Sequence, residues 1–259
     1  MTSASGRNGG SASPQSQPGG DDARLRALLE SATAPPAPAA DQILNLLRTP
    51  RITADLILAI SRHPVLMKFD RVRVAIVLHP ATPRPVAMSL LSQLRWRDLS
   101  RVAVAPRLGA AVRGAAEKIL LLRLPELALG EKVTLARAAT RNVLRALRTE
   151  HSSLVVRALL DNPLLQVEDA LSIVESPATP GTVLQVMAES SRFAASQELR
   201  MAIASHQATP PAAALRLVQA MDEAGLVRLL SIAPLPPLIA VAARRRAALL
   251  GVTDPSNDI

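Results

Sequence analysis

The sequence has no cysteine and no tyrosine, and aromatic residues make up only 1% of its 259 residues. Without cysteine the chain can form no disulfide, no thiolate metal site and no cysteine nucleophile. So few rings also argue against an enzyme pocket that stacks a flipped base. Long apolar runs are missing too. The most apolar stretch, Leu229 to Ala243, contains three prolines and is too short to span a bilayer, so we expect no membrane span.

Residues that could act in catalysis or bind a metal are few, and their spacing in the sequence does not group them into a site. The four histidines lie at positions 63, 79, 151 and 206, and none has a second ligand at metal-binding spacing. Glu168 and Asp169 belong to the densest acidic group, but they fall in a predicted first helical turn, where the dipole favours carboxylates. The glycines form no phosphate-binding loop. We therefore predict no catalytic residue, no metal and no cofactor.

The sequence does contain a short motif of threonine and proline that recurs at regular intervals. It appears in Thr49 to Thr53 and then in three four-residue echoes, which are Pro80 to Pro83, Pro177 to Pro180 and Gln207 to Pro210. Pro80 lies 30 residues after Pro50, position 207 lies 30 residues after Pro177, and the two pairs are 127 residues apart. This regularity predicts a stack of helical units.

At an offset of 127 residues the first half aligns with the second without a gap. Identical residues occupy positions 73 and 200, 76 and 203, 79 and 206, 82 and 209, and 83 and 210. His79 and His206 share one position, where Asn162 stands in a third unit, and we expect a turn or helix-end role for all three.

The threonines have a predicted structural role. A threonine oxygen can accept from the free N–H groups of a first helical turn, and proline is tolerated at the first helical position. Thr82, Thr179 and Thr209, each followed by proline, are thus predicted to cap the helix that follows, as is Thr53.

We predict an all-α fold, an α-solenoid, with disordered or flexible ends. The expected segments are a disordered tail at 1–20, a short helix and Pro/Ala linker at 21–39, a solenoid at 40–251 and a flexible tail at 252–259. Within the solenoid, copies at about 40–120 and 166–247 are joined by two helices within 130–161. The polar first residues do not fit a signal peptide, so the expected location is cytoplasmic.

Two stretches resemble units of the leucine-rich repeat variant family, within the wider class of HEAT-like helical repeats. They are Val72 to Pro83 and Leu199 to Pro210, and Val156 to Pro163 is a shorter third example. The resemblance covers roughly residues 40 to 250. It implies a right-handed α-solenoid that serves protein–protein interaction, and it carries over no catalytic residue.

Charge separates the two halves. Residues 48–148 hold 19 Arg and Lys against 6 Asp and Glu, a net of +13, whereas residues 149–243 hold 5 against 9, a net of −4. The candidate residues for an anionic partner are Arg95, Arg97, Arg101, Arg137, Arg141, Arg145 and Arg148. The last four would share one face if their helix were continuous, while an N-cap at Thr140 would split them.

Three functional hypotheses follow from this layout. The first is a non-enzymatic scaffold whose basic first half faces an acidic protein. The second is binding of a nucleic-acid phosphate backbone by residues 95–148, with Trp96 available to stack on a base. The third is head-to-tail self-association of the basic half with the acidic half.

Overall fold

The structure, a computed structural model, describes residues 37–49, 52–193, 195–232 and 234–251, together with Ala27. These residues form fifteen α-helices and no strand, which confirms the all-α prediction for this part of the chain. In chain order the helices are α1 (Ala37–Leu46), α2 (Ala54–Arg62), α3 (Asp70–Leu78), α4 (Arg84–Leu91), α5 (Trp96–Ala103), α6 (Ala110–Arg123), α7 (Leu129–Arg137), α8 (Arg141–Leu147), α9 (Ser153–Leu160), α10 (Val167–Val174), α11 (Gly181–Ala188), α12 (Gln197–Ser205), α13 (Pro211–Gln219), α14 (Glu223–Leu230) and α15 (Pro237–Leu249). Short 3-10 turns cover Leu66–Lys68, Leu124–Glu126 and Ser191–Phe193.

Two predicted boundaries need correction. Helix α1 begins at Ala37, inside the segment predicted as a linker, with Pro38 in its first turn, where a missing N–H costs little. Three helices, α7 to α9, lie where two were expected, because residues 138–140 interrupt the first. The predicted tails at 1–20 and 252–259, and the predicted helix from Asp21 except for Ala27, lie outside the described residues.

Helix starts repeat at the interval found in the sequence. Helices α2, α3, α4, α5 and α6 begin 127 residues before α11, α12, α13, α14 and α15, respectively. Residues 127 apart are called equivalent below.

The described helices belong to two compact units. The first lies within Met1–Asp98 and Ala105–Arg113, and the second within Leu99–Val104 and Gly114–Ile259. In the first unit, α3 contacts α1, α2 and α4. In the second unit, contacts join second-neighbour helices in the pairs α7 and α9, α9 and α11, α10 and α12, α11 and α13, α12 and α14, and α13 and α15.

Helix α9 shows why the sequence folds in this way. Its eight residues are Ser-Leu-Val-Val-Arg-Ala-Leu-Leu, and five of them are buried. A helix that is apolar on most sides must be covered on most sides. Helices α7 and α11 supply that cover. None of the described helices combines the length and the apolar character that a membrane span requires.

The threonines act in the direction opposite to the one predicted. Thr82 Oγ1 donates to the Ile76 carbonyl at 2.5 Å, Thr179 to the Ile173 carbonyl at 2.5 Å and Thr209 to the Ile203 carbonyl at 2.6 Å. Each acceptor lies in the last turn of the preceding helix, where carbonyls lack helical partners. The capping prediction for these three was therefore wrong: each hydroxyl closes the helix before it, and proline takes the N-cap position of the next helix.

A second set of bonds ties the ends of helices that are second neighbours. His79 Nε2 lies 3.1 Å from the Thr49 carbonyl, and His206 Nε2 lies 3.3 Å from the equivalent Ser176 carbonyl. In both histidines Nδ1 accepts the N–H two residues ahead, which assigns the proton to Nε2 and makes it the donor. Asn162 does the same work, since Nδ2 donates to the Ala136 and Ala139 carbonyls and Oδ1 accepts from Leu164 N. The predicted helix-end role of all three residues is confirmed. We call these three side chains the latches.

Replacing Thr179 by Val removes a buried donor while keeping the shape. We expect the free energy of unfolding to fall by about 1 kcal/mol, because the Ile173 carbonyl loses this bond at a buried position. Thr182→Val, on the exposed face of α11, is the matched control and should change little. Urea unfolding followed by circular dichroism measures both; equal effects would contradict the assigned role of Thr179.

Replacing the buried His79 by Leu should cost roughly 1–3 kcal/mol, because both the Thr49 carbonyl and the Ala81 N–H lose a partner. His151→Leu, at an exposed histidine, is the control. Thermal unfolding compares the two variants. An unchanged midpoint for His79→Leu would show that the latch contributes nothing to stability.

Candidate binding surfaces

The four arginines at 137, 141, 145 and 148 do not form one row. Arg137 ends α7, and α8 begins only at Arg141, with Thr140 at its N-cap position. The Thr140 hydroxyl donates to Glu117, which also accepts from Asn142 Nδ2 at 2.9 Å. The split row, one of the two alternatives considered from sequence, is the arrangement observed.

Two of these arginines are bound to a buried carboxylate. Arg148 Nη1 lies 3.1 Å from Asp169 Oδ1, and Arg141 Nη2 lies 3.5 Å from Asp169 Oδ2. Asp169 is only 3% exposed and also accepts the Gln166 N–H, which fixes the start of α10. Arg141 further donates to the Leu164 carbonyl at 3.0 Å. Arg137 and Arg145 are exposed and make no side-chain bond with other described residues, so only these two of the four are available to a partner.

The arginines around Trp96 are exposed. Arg95 forms an ion pair with Asp70 at 2.8 Å, yet its side chain remains 78% exposed. The Arg97 guanidinium lies 5.3 Å from the centroid of the Trp96 ring, within cation–π range. Arg101, one turn further along α5, is exposed as well. Trp96 is half-buried, and the Arg97 guanidinium lies over its ring. A base that stacked on this ring would have to displace Arg97.

The contact between Arg95 and Asp70 has an equivalent in the second half in which donor and acceptor are exchanged. Residues 70 and 95 form an Asp–Arg ion pair, whereas the equivalent residues form a hydrogen bond from Gln197 Nε2 to Asp222 Oδ1 at 2.7 Å. Asp222 also caps α14 by accepting the Gly225 N–H at 2.9 Å. The two helices are joined at the same point in both places, but the surface charge differs.

Three further exposed positions reverse their charge between equivalent sites. Arginine at one site faces glutamate at the other in the pairs Arg48 and Glu175, Arg62 and Glu189, and Arg71 and Glu198. All six residues are exposed, and Arg48, Arg62 and Arg71 make no side-chain bond with other described residues. The charge contrast of the two halves is visible in the sequence, but these positions were not singled out from it. Subtracting one aligned copy from the other would have revealed them.

Three of the basic residues, Lys68, Arg71 and Arg95, line a groove in the first unit. The groove has a volume of about 500 Å³. It is lined by Ala40, Asp41, Leu44, Lys68, Phe69, Asp70, Arg71 and Arg95. Three cations therefore face two carboxylates around a small apolar floor. We call this the basic groove.

Other arginines hold the fold together. Arg192 donates to four carbonyls of one loop, those of Leu160, Asn162, Pro163 and Leu165, and so fixes the loop around the Asn162 latch. Arg192 was not predicted from the sequence, because the equivalent residue of the other copy is Val65. Arg73 donates to the Met67 carbonyl at 2.8 Å, and Arg200 to the Ala220 carbonyl at 2.9 Å. Both bonds run to backbone carbonyls, so these two arginines also hold the fold together. Among the described residues no three His, Asp or Glu side chains gather as a metal site.

Changing Asp169 to Asn keeps the shape of the side chain and removes the charge that holds Arg141 and Arg148. We expect a loss of roughly 1–3 kcal/mol in unfolding free energy. Glu168→Gln, an exposed neighbour in the same helical turn, should stay within about 0.5 kcal/mol. Chemical denaturation measures both variants. If Asp169→Asn left the free energy of unfolding unchanged, Arg141 and Arg148 would not contribute to stability through Asp169.

Comparisons of the chain with protein-family models, with curated proteins and with solved structures gave no match.

Proposed function

We propose that the chain is a non-enzymatic right-handed α-solenoid of helical repeats, which binds an acidic protein partner through the basic surface of its first half. The solenoid is supported by the contacts between second-neighbour helices and by the latches that recur at their ends. Helical repeats stacked in this way present extended surfaces that suit protein binding.

One observation carries the proposal: charge is reversed at equivalent exposed positions, while the hydrogen bonds that hold the helices are the same in both halves. The threonine bonds and histidine latches are the same at both sites, so the frame does not require arginine at 48, 62, 71 or 95. The equivalent residues are all acidic. A charge that the fold does not require is well placed to serve a partner, because complementary potentials speed association and fix register.

The basic groove gives this surface its geometry. Arg71 and Arg95 can each offer a planar fork of donors to a carboxylate, and Lys68 adds a compact charge. Asp70 engages Arg73 and Arg95, so it orients the Arg95 side chain while leaving most of it exposed. An acidic segment of a partner would bind beside these residues.

Binding of a nucleic-acid backbone by the arginines of residues 95–148 is the competing proposal. It loses support from the engagement of Arg141 and Arg148 by Asp169, which leaves the region 137–148 with two unpaired arginines. It remains an outcome of the experiment below, as does head-to-tail self-association.

The experiment exchanges the charges of equivalent positions. One variant carries Arg48→Glu, Arg62→Glu and Arg71→Glu; the control carries Glu175→Arg, Glu189→Arg and Glu198→Arg, so that each receives residues found at equivalent sites. Partners are captured from a nuclease-treated lysate, identified by mass spectrometry and titrated as purified proteins by calorimetry. We expect an acidic protein whose affinity drops about tenfold or more in the arginine variant and stays unchanged in the control.

Equal behaviour of the two variants would refute a partner on the basic half. If nuclease treatment removed everything that binds, and a labelled oligonucleotide then bound with a steep salt dependence, the function would be nucleic-acid binding instead. Mass measured by light scattering at low salt decides self-association.

A further inference from the structure

A second surface, in the other unit, has the opposite character from the basic groove. It is a groove of about 610 Å³ between α13 and α15. Its lining residues are Leu215, Val218, Gln219, Leu238, Val241, Ala242, Arg245, Arg246 and Leu249. We call it the terminal groove. Six of the nine residues are apolar, two are arginines and none is acidic.

Large apolar side chains stand exposed along this groove. Leu238 is 52% exposed, Val241 is 62% exposed and Leu249 is 73% exposed. On α15 they follow positions i, i+3 and i+11, which places them on one side of the helix. Helices inside this fold meet their neighbours through side chains of this kind. The three side chains thus form an exposed apolar stripe on α15.

The frame does not require this apolar character. The residues equivalent to Leu238 and Val241 are Ala111 and Gly114, both on the exposed face of α6. The inner side of α15 is already served by Ile239, Ala243 and Ala247, which are buried in a core with α13 and α14. Leu238 and Val241 therefore add exposed apolar area without filling that core.

We infer that the terminal groove binds an amphipathic helix of a partner protein that carries apolar residues on one face and carboxylates beside them. Charge complementarity selects this occupant: Arg245 and Arg246 line the groove, and none of the nine lining residues is a carboxylate. A second copy of the same helix would bring these two arginines against the same two arginines. From Leu238 to Leu249 the stripe spans about 16 Å, the length of roughly three helical turns.

This inference is independent of the proposed function, because it concerns another surface and another contact chemistry. Carboxylates line the basic groove, whereas none lines the terminal groove, where Leu238 and Val241 are exposed.

The test uses the full chain and a fluorescein-labelled helical peptide of about 16 residues, with leucines spaced to match the stripe and glutamates beside them. Two control peptides replace the glutamates by lysines or the leucines by glutamines. Fluorescence anisotropy gives the affinities. We expect binding of the leucine–glutamate peptide and at least about tenfold weaker binding of each control.

The protein variants locate the site. Leu238→Ala with Val241→Ala should weaken binding about tenfold or more, whereas Leu154→Ala, at a leucine 55% exposed on α9, should not. Arg245→Glu should weaken the glutamate peptide and strengthen the lysine peptide. The variant Arg48→Glu, Arg62→Glu, Arg71→Glu should bind the peptide as the wild type does, which separates this site from the basic groove.

Several results would overturn the inference. They are equal affinity for the glutamate and lysine peptides, indifference to Leu238→Ala with Val241→Ala, and loss of binding in the Arg48 variant. Self-association that disappears in the Leu238 variant would assign the groove to a second copy. Binding to anionic lipid vesicles with no binding to the peptide would assign it to a membrane surface. Circular dichroism melts confirm that each variant is folded.

Discussion

The structure depends on one constraint: polar groups at helix ends that are shut away from water must find partners. The buried polar side chains of the described residues are His79, Asn162, Asp169, Thr179 and Thr209, and each bonds to the end of a helix or to the segment that follows it. Short helices make this demand frequent, since every end leaves unpaired N–H and carbonyl groups. The same solution recurs at equivalent sites because the same backbone geometry recurs there.

That constraint explains which residues are free to change. Latches and threonine donors are fixed by bonds inside the fold, while the side chains of Arg48, Arg62 and Arg71 make no bond with other described residues, so these side chains can vary at little cost to the fold. The pair at 70 and 95 shows the intermediate case: an Asp–Arg ion pair and a Gln–Asp hydrogen bond join the same two points. Contact geometry is preserved there, and charge is the property that differs.

The sequence was sufficient to predict the helical class, most helix starts and the equivalence of the two halves. Prolines that break helices, and residues repeated after 127 positions, can be recognised in the sequence itself. It was insufficient where a side chain has two possible directions of bonding. Thr179 could accept from the helix ahead or donate to the helix behind, and only the position of the Ile173 carbonyl decides. The sequence also left open whether the arginines at 137–148 share one face, and the engagement of Arg141 and Arg148 depends on Asp169, more than 20 residues away. Arg192 has no sequence signal at all, because its partners are backbone carbonyls.

The spacing of the latches has a consequence for how the chain acquires its structure. Thr49 and His79 are 30 residues apart, as are Ser176 and His206, and Asn162 reaches back 26 residues to Ala136. No long loop must close before these bonds form, so the entropy of closure is small and folding should be fast for a chain of this length. On the ribosome each latch can form soon after its own segment emerges, before the rest of the protein exists. Assembly can thus proceed along the chain in the order of synthesis.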